Sequence, residues 1–426
     1  MNLSTLLSRF ENCPCGRLHT ADLKAIEISH GCKDHVASIL SENGFPKRIL
    51  AVADRNTLAA SGDILERLAS GGFHVTQKLY ENFREPLAAF VDEIVSLSAD
   101  VDGILSIGSG SLNDICRRAA LLANKEFAIF ATAPSMDGFA SGTAPIIENG
   151  VKSTMPARQP SIIIGDTEIL AAAPTELKAA GFGDIIGKYI ALVDWRVAHL
   201  LVGEYYCEAI AELVREALRR ITALAAKVNE QSEEAAGAIM ETLVLTGIAM
   251  KLADSSRPAS GAEHMISHHL GMRKLDEGKI ADFHGKKVGV ATVTLSRLYH
   301  NFAARERIRV RPESVDWDAV YNAYGAESRA YIREMNAPTI TEDIPPERFE
   351  ESLDQIRAII REELPSHEKL LAVMHRAHAA TTYAEIDVDR DLAKDALLYH
   401  GFMRHKVVLS RMLFLTDLDL IKEAEI

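Results

Sequence analysis

The chain has 426 residues, 47% of them hydrophobic and 25% charged, with a formal charge of −13. This length predicts two domains, and the acidic balance argues against nucleic acid while leaving room for a small anionic substrate held by a few local cations. Five cysteines suggest no disulfide framework, no uninterrupted apolar run reaches membrane-spanning length, and residues 1–10 lack a signal peptide's pattern, so a reducing cytoplasm is the expected location.

In chain order, Cys13-Pro-Cys-Gly-Arg-Leu-His19 comes first. A Cys-x-Cys with one histidine lacks a fourth ligand nearby, which argues against structural zinc. Cys32, Cys116 and Cys207 stand isolated and are expected in packed positions. Arg48 to Asp54 reads as a buried strand, followed by a helix through Leu58, Ile64, Leu65 and Leu68. A strand from Phe73, a helix from Leu87 to Leu97, a strand from Gly103 to Gly108 and a helix from Ser111 to Leu122 continue the alternation. Phe127 to Ala131 and Ser161 to Gly165 add two more strands. Such alternation calls for a parallel sheet with helices on both faces.

Beyond about Thr175 the period becomes helical. Leu213, Val214, Ala217, Leu218, Ile221, Leu224, Ala225 and Val228 share one face, and stretches from Glu234 to Ala253, Phe349 to Glu363 and Leu392 to Leu415 follow suit. The segment from Asn336 to Pro346 reads as a connection between helices. The predicted architecture is α/β: a Rossmann-like parallel-sheet domain over residues 1–170, an all-helical domain over 171–426, and an active site in the cleft between them.

Three places carry candidate chemistry. Gly108-Ser-Gly-Ser-Leu-Asn-Asp114 follows a strand and opens a helix, so its glycines and first free N–H groups suit a pyrophosphate, although a plain tight turn has the same appearance. Asp54 ends a strand, where a carboxylate binds ribose hydroxyls or simply caps the next helix. Thr132-Ala-Pro-Ser-Met-Asp-Gly-Phe139 lies at the same sheet edge, with Thr132, Ser135, Asp137 and Ser141 as polar lining.

Asp184, His264 and His284 form a third group. One carboxylate and two imidazoles with an open position are what a catalytic divalent metal needs. Asp184 follows glycines expected to precede a helix, and Lys188, one turn later, shares its face and either pairs with it or holds an anion. His268 lies one turn from His264 and can enter the same cleft, while His269 points away, toward a supporting or surface position. His367, His375, His378, His400 and His405 show no ligand spacing and suit surface or interhelical hydrogen bonding.

Together, Gly108–Asp114, Thr132–Phe139 and Gly183-Asp-Ile-Ile-Gly-Lys188 resemble the dehydroquinate synthase and iron-containing alcohol dehydrogenase superfamily. Within it they resemble the sn-glycerol-1-phosphate dehydrogenase family, in its bacterial branch. The resemblance implies NAD or NADP held by Asp54, Gly108, Gly110, Ser111, Leu112, Asn113, Asp114, Thr132, Ala133, Pro134, Ser135 and Ser141. It also implies one divalent metal, zinc or nickel, on Asp184, His264 and His284. Asp137, Asp184 and His268 are the implied substrate contacts, and Lys188 is added as a phosphate cation. The implied reaction is reduction of dihydroxyacetone phosphate to sn-glycerol 1-phosphate in phospholipid biosynthesis; a homodimer is expected only because it is the commonest oligomer of soluble proteins. Iron alcohol dehydrogenases place a further His ligand where this chain has Lys188, and dehydroquinate synthases use Glu where it has Asp184. A glycerol dehydrogenase, which shares the Asp/His/His set, and a dehydroquinate-synthase-like cyclase are the alternatives.

Overall fold

The computed structural model describes residues 3–148 and 151–426. Eight strands are assigned: β1 (Ala25–Ser29), β2 (Arg48–Asp54), β3 (His74–Tyr80), β4 (Gly103–Gly108), β5 (Glu126–Ala131), β6 (Thr143–Glu148), β7 (Val151–Pro156) and β8 (Ile162–Asp166). Six of them form one parallel sheet in the order β1-β8-β5-β4-β2-β3, and β6 and β7 pair separately as an antiparallel hairpin. After Asp166, helices Thr167–Ala172, Thr175–Ile186, Lys188–Val202, Glu208–Ala223, Glu233–Ala253, Ala262–Asp276 and His284–Ala304 lead into a helical remainder.

The central strands are apolar throughout because both sheet faces are covered. Leu50, Val52 and Ile104 join one buried cluster, while the alternating Ile49, Ala51, Ala53, Leu105 and Ile107 join another. From β2 the chain steps outward to β3 and then returns to place β4 on the other side of β2. That reversal is a topological switch point, where an open parallel sheet leaves a crevice at its carboxyl edge. Register pairs Ala53 with Ile107, so the next residues on the two strands, Asp54 and Gly108, stand at the crevice.

Several expectations needed revision. β1 and the β6–β7 hairpin are additional strands, and the helix expected after β2 divides into Arg55–Ser61 and Ile64–Ser70 around Gly62 (φ 63°). The stretch from Leu392 to Leu415 is helical only in pieces, Arg390–Tyr399 and short turns after it. Residues 3–19 do not pack as part of the sheet: Arg9 pairs with Glu216 at 2.8 Å, and His19 Nδ1 reaches the Leu252 carbonyl at 2.7 Å, both on helices. Among the described residues, one helix is long and apolar enough to cross a membrane, Glu233–Ala253, and 78% of its apolar window is buried inside the protein.

Glycines fix how two helices cross. A Cβ on Gly285 would lie 1.9 Å from the Ala180 carbonyl oxygen, and one on Gly183 would lie 2.6 Å from the Gly285 oxygen. The Thr175–Ile186 and His284–Ala304 helices therefore meet backbone to backbone. This contact carries His284 to Asp184. The glycines expected to precede the Asp184 helix lie inside it, and Asp184 sits in the last turn of Thr175–Ile186 rather than at an N-cap.

Candidate metal centre and cofactor cleft

The cleft begins at the switch point. A cavity of about 760 Å³ is lined by Asp54, Asn56, Thr57, Phe83, Ser109, Thr132, Ala133 and Leu177, among others. An adjoining cavity is lined by Asp54, Ser109, Gly110, Ser111, Leu112, Ser135, Met136, Phe283 and His284. The Gly110–Leu122 helix thus presents its N-terminal turn to the cleft, where unpaired N–H groups and the helix dipole favour an anion. Asp54 caps the next helix, Oδ1 accepting from Thr57 N at 2.8 Å, and the residue also borders both cavities.

Other residues expected to touch the cofactor have structural surroundings. Asn113 is buried, its Oδ1 accepting from Ser106 Oγ at 2.5 Å, and Asp114 faces Arg117 at 3.7 Å. Gly108 packs against Leu112, and Pro134 packs against the helix at Gly181. Ser141 Oγ pairs with Thr143 Oγ1 at 3.0 Å. None of these five lines either cavity. Arg117 explains part of this arrangement: fully buried, it donates to the carbonyls of Gly138, Ser141 and Thr143 and so braces the loop that bears Asp137.

Beyond His284 lies the metal candidate. Ligand atoms of Asp184, His264 and His284 all fall within 4.8 Å of one another. His264 Nε2 is 3.4 Å from Asp184 Oδ1, and His284 Nε2 is 4.0 Å from Asp184 Oδ2. The Asp137 loop closes on the group, with Asp137 N donating to Asp184 Oδ2 at 3.0 Å. His268 borders it as well, its ring centroid 6.4 Å from that of His264 and 5.8 Å from that of His284.

Two supporting residues escaped the sequence reading. Glu263 is fully buried, accepts from Gly261 N at 2.8 Å and holds His264 Nδ1 at 2.7 Å. A carboxylate on the far nitrogen of a ligating imidazole fixes its tautomer and aims the other nitrogen at the metal. The adjacency Glu263-His264 was the visible signal. Asp194 has none: it accepts from Ala262 N (2.7 Å), Leu409 N (2.9 Å) and Tyr299 OH (2.9 Å), fastening the start of the His264 helix.

Lys188 is placed where its pairing reading, not its anion reading, applies. Its ammonium is fully buried, 2.9 Å from Asp184 Oδ1 and 2.5 Å from Asp137 Oδ2. Burial would raise the Asp184 carboxyl, but Lys188 and the two imidazoles outweigh it and hold that group well below the usual range. Burial, joined by the Asp184 charge, pushes the Asp137 carboxyl upward. Asp137 and Asp184 share Lys188, while Glu263, a further buried carboxylate, stands behind His264 and adds negative charge that a divalent cation would balance. Charge and donor chemistry both fit such an ion.

Arg404 is a further residue missed by the sequence reading. Its Nη2 lies 3.2 Å from His268 Nδ1 and 3.0 Å from Thr154 Oγ1. A guanidinium only donates, so His268 Nδ1 accepts and the ring proton sits on Nε2. Lys406 lies close in sequence, bonded to the Ser260 carbonyl at 2.6 Å. His269 departs from its expected supporting or surface place: it is fully buried edge-on to Tyr324, ring centroids 4.9 Å apart. Cys207, expected to be isolated, comes together with Cys13, Cys15 and His19.

Known proteins resemble this chain in sequence and in fold. A family model described as iron-containing alcohol dehydrogenase matches residues 27–174. The glycerol-1-phosphate dehydrogenase (NAD(P)+) of Bacillus velezensis is 36% identical over 309 residues, covering 71% of this chain and 78% of the relative. That of Bacillus licheniformis is 29% identical over 404 residues, covering 92% of this chain and 90% of the relative. Among solved structures, the archaeal halo-thermophilic Red Sea brine pool alcohol dehydrogenase aligns with a TM-score of 0.63 at 14% identity, covering 96% of this chain and 97% of its own. Schizosaccharomyces pombe glycerol dehydrogenase aligns with a TM-score of 0.58 at 16% identity, covering 81% and 91%.

Proposed function

This chain belongs to the glycerol-1-phosphate dehydrogenase family, and we propose that it reduces dihydroxyacetone phosphate to sn-glycerol 1-phosphate with NADH or NADPH. The observation that carries the reading is the continuity of the cleft. Asp54, the Ser109–Leu112 turn and His284 line one cavity, and His284 belongs to the Asp184/His264/His284 group, so a dinucleotide anchored at the switch point would have that group within the same cleft.

Asp54, Ser109, Gly110, Ser111, Leu112, Thr132, Ala133 and Ser135 bind the cofactor, with Gly108 and Pro134 shaping the backbone behind them. Asp184, His264 and His284 hold one divalent cation, and zinc and nickel both accept this donor set. When bound, the nicotinamide supplies the hydride and the cation supplies Lewis-acid polarisation of the ketone. Lys188 keeps the Asp137 and Asp184 carboxylates paired without occupying the cleft. Asp137 orients a substrate hydroxyl. His268, with its proton on Nε2, would hydrogen-bond the oxygen that becomes the new hydroxyl, the proton itself arriving from solvent through water, while its Nδ1 is held by Arg404. Arg404 takes the phosphate role first assigned to Lys188, because its guanidinium borders His268 while the lysine is enclosed by two carboxylates.

The test is a substrate comparison. Consumption of reduced cofactor should follow dihydroxyacetone phosphate stoichiometrically and be far slower with dihydroxyacetone. Equal kcat/KM for the two would replace the reading with a polyol dehydrogenase. Cofactor that is not consumed net would replace it with a cyclase.

A further inference from the structure

The N-terminal cysteines meet the residue they lacked in sequence. Cys13 Sγ lies 3.5 Å from Cys207 Sγ, and Cys15 Sγ lies 3.1 Å from His19 Nε2. The four ligand atoms fall within 4.8 Å of one another. From these positions we infer that Cys13, Cys15, His19 and Cys207 form a second, structural metal site of the Cys₃His type, suited to zinc and separate from the dehydrogenase centre.

Five features support the assignment. Zinc bonds of about 2.3 Å to sulfur and about 2.0 Å to nitrogen in a tetrahedron put neighbouring ligand atoms roughly 3.3 to 3.8 Å apart, close to the separations found. A disulfide would require a sulfur–sulfur distance of about 2.0 Å and would leave Cys15 and His19 without a purpose. The outer contacts are those of ligands: His19 Nδ1 donates to the Leu252 carbonyl at 2.7 Å, leaving Nε2 unprotonated toward Cys15, and Tyr205 OH donates to Cys15 Sγ at 3.4 Å. Locally, Gly16 N bonds the Cys13 carbonyl at 3.1 Å in a turn with Pro14 second and Gly16 at φ +76°, which brings the two early cysteines to one place. Cys207 is the N-cap of the Glu208–Ala223 helix, which sets the fourth ligand on a rigid element.

Four protein ligands leave no open position, so the role is structural rather than catalytic. The segment from Arg9 to Lys24 runs from an ion pair with Glu216 to a bond from Lys24 N to the Ser161 carbonyl beside β8. A metal in its middle fastens this strap between the helical part and the sheet, and so holds the two walls of the cleft in register.

The experiment uses the full-length protein purified under reducing conditions, with Asp184→Asn to remove the first site and Cys13→Ser/Cys15→Ser to remove the second. Asp184→Asn should retain about one equivalent of zinc, and after cobalt exchange should show a thiolate-to-metal charge-transfer band. The double cysteine variant should lack both the band and that equivalent, and unfold at least about 5 °C lower. If the double variant does not fold, the wild type decides: a mercurial reagent should release zinc as it consumes the cysteine thiolates. Absence of thiolate-bound metal in Asp184→Asn, no zinc release by the mercurial, or a Cys13–Cys207 disulfide in the purified protein would overturn the assignment. These outcomes are read without any dehydrogenase assay, so failure here and failure of the catalytic reading are separable.

Discussion

Lys188 sits one helical turn after Asp184, its Nζ 2.9 Å from Asp184 Oδ1, and both side chains are completely buried. This is the position at which the sequence reading sets the chain apart from iron alcohol dehydrogenases, which place a further His ligand there. The chain instead supplies a fixed positive charge, which also reaches Asp137 at 2.5 Å. A three-residue ligand set thus remains with an ammonium balancing its carboxylates.

Removing that ammonium should cost stability. Lys188→Met leaves two buried carboxylates facing each other, so we expect a loss on the order of 3–5 kcal/mol in urea unfolding, with reduced activity. An unchanged unfolding midpoint would show that the pair is not coupled in this way.

Glu263 acts through His264 and never reaches substrate. Glu263→Gln should weaken metal affinity by roughly 10- to 100-fold, as measured by competition with a chelator. With excess metal, kcat should recover most of its value. A persistent kcat defect at saturating metal would indicate a different role.

Arg404 separates phosphate recognition from chemistry. Arg404→Gln should raise KM for dihydroxyacetone phosphate at least about tenfold and slow the reaction with dihydroxyacetone far less, through His268 alone. Equal loss with both substrates would place the residue in support of His268 alone.

Acid sensitivity is expected from His400. This ring is buried, its Nδ1 donating to the Ala396 and Leu397 carbonyls and its Nε2 facing Ser410 Oγ at 2.8 Å. Burial pulls its pKa from 6.5 down to about 4. The unfolded chain therefore binds a proton that the folded chain refuses between these values. His400 contributes full stability above pH 6.5, and that contribution is lost as pH falls toward 4, on the order of a few kcal/mol. Unfolding midpoints measured across this range should fall, and fall less in His400→Gln.

The sheet and the cleft were legible because their signals are local. Apolar runs ending at Asp54, Gly108 and Ala131 mark strand ends, and the loops after them fall at the carboxyl edge by topology alone. Asp184, His264 and His284 could be picked out by residue type and the glycines around them. Periodicity could not distinguish glycines that start a helix from Gly183 and Gly285, which permit two helix backbones to touch. Charge partners were equally hidden: Lys188 looked like a cation for substrate until Asp137 closed over it. Cys207, nearly two hundred residues from Cys13, was unreadable as a ligand because its meaning lies wholly in tertiary contact.

The central claim is that one divalent cation on Asp184, His264 and His284 serves the reduction of dihydroxyacetone phosphate at the end of the cofactor cleft. Its most direct measurement is the rate of NAD(P)H oxidation by dihydroxyacetone phosphate in enzyme stripped of metal and then reloaded with zinc or nickel. The account predicts that stripping lowers kcat on the order of 10²-fold or more, that reloading restores it, and that Asp184→Asn cannot be restored. Full activity in protein shown by elemental analysis to hold no metal, or in Asp184→Asn, would contradict it.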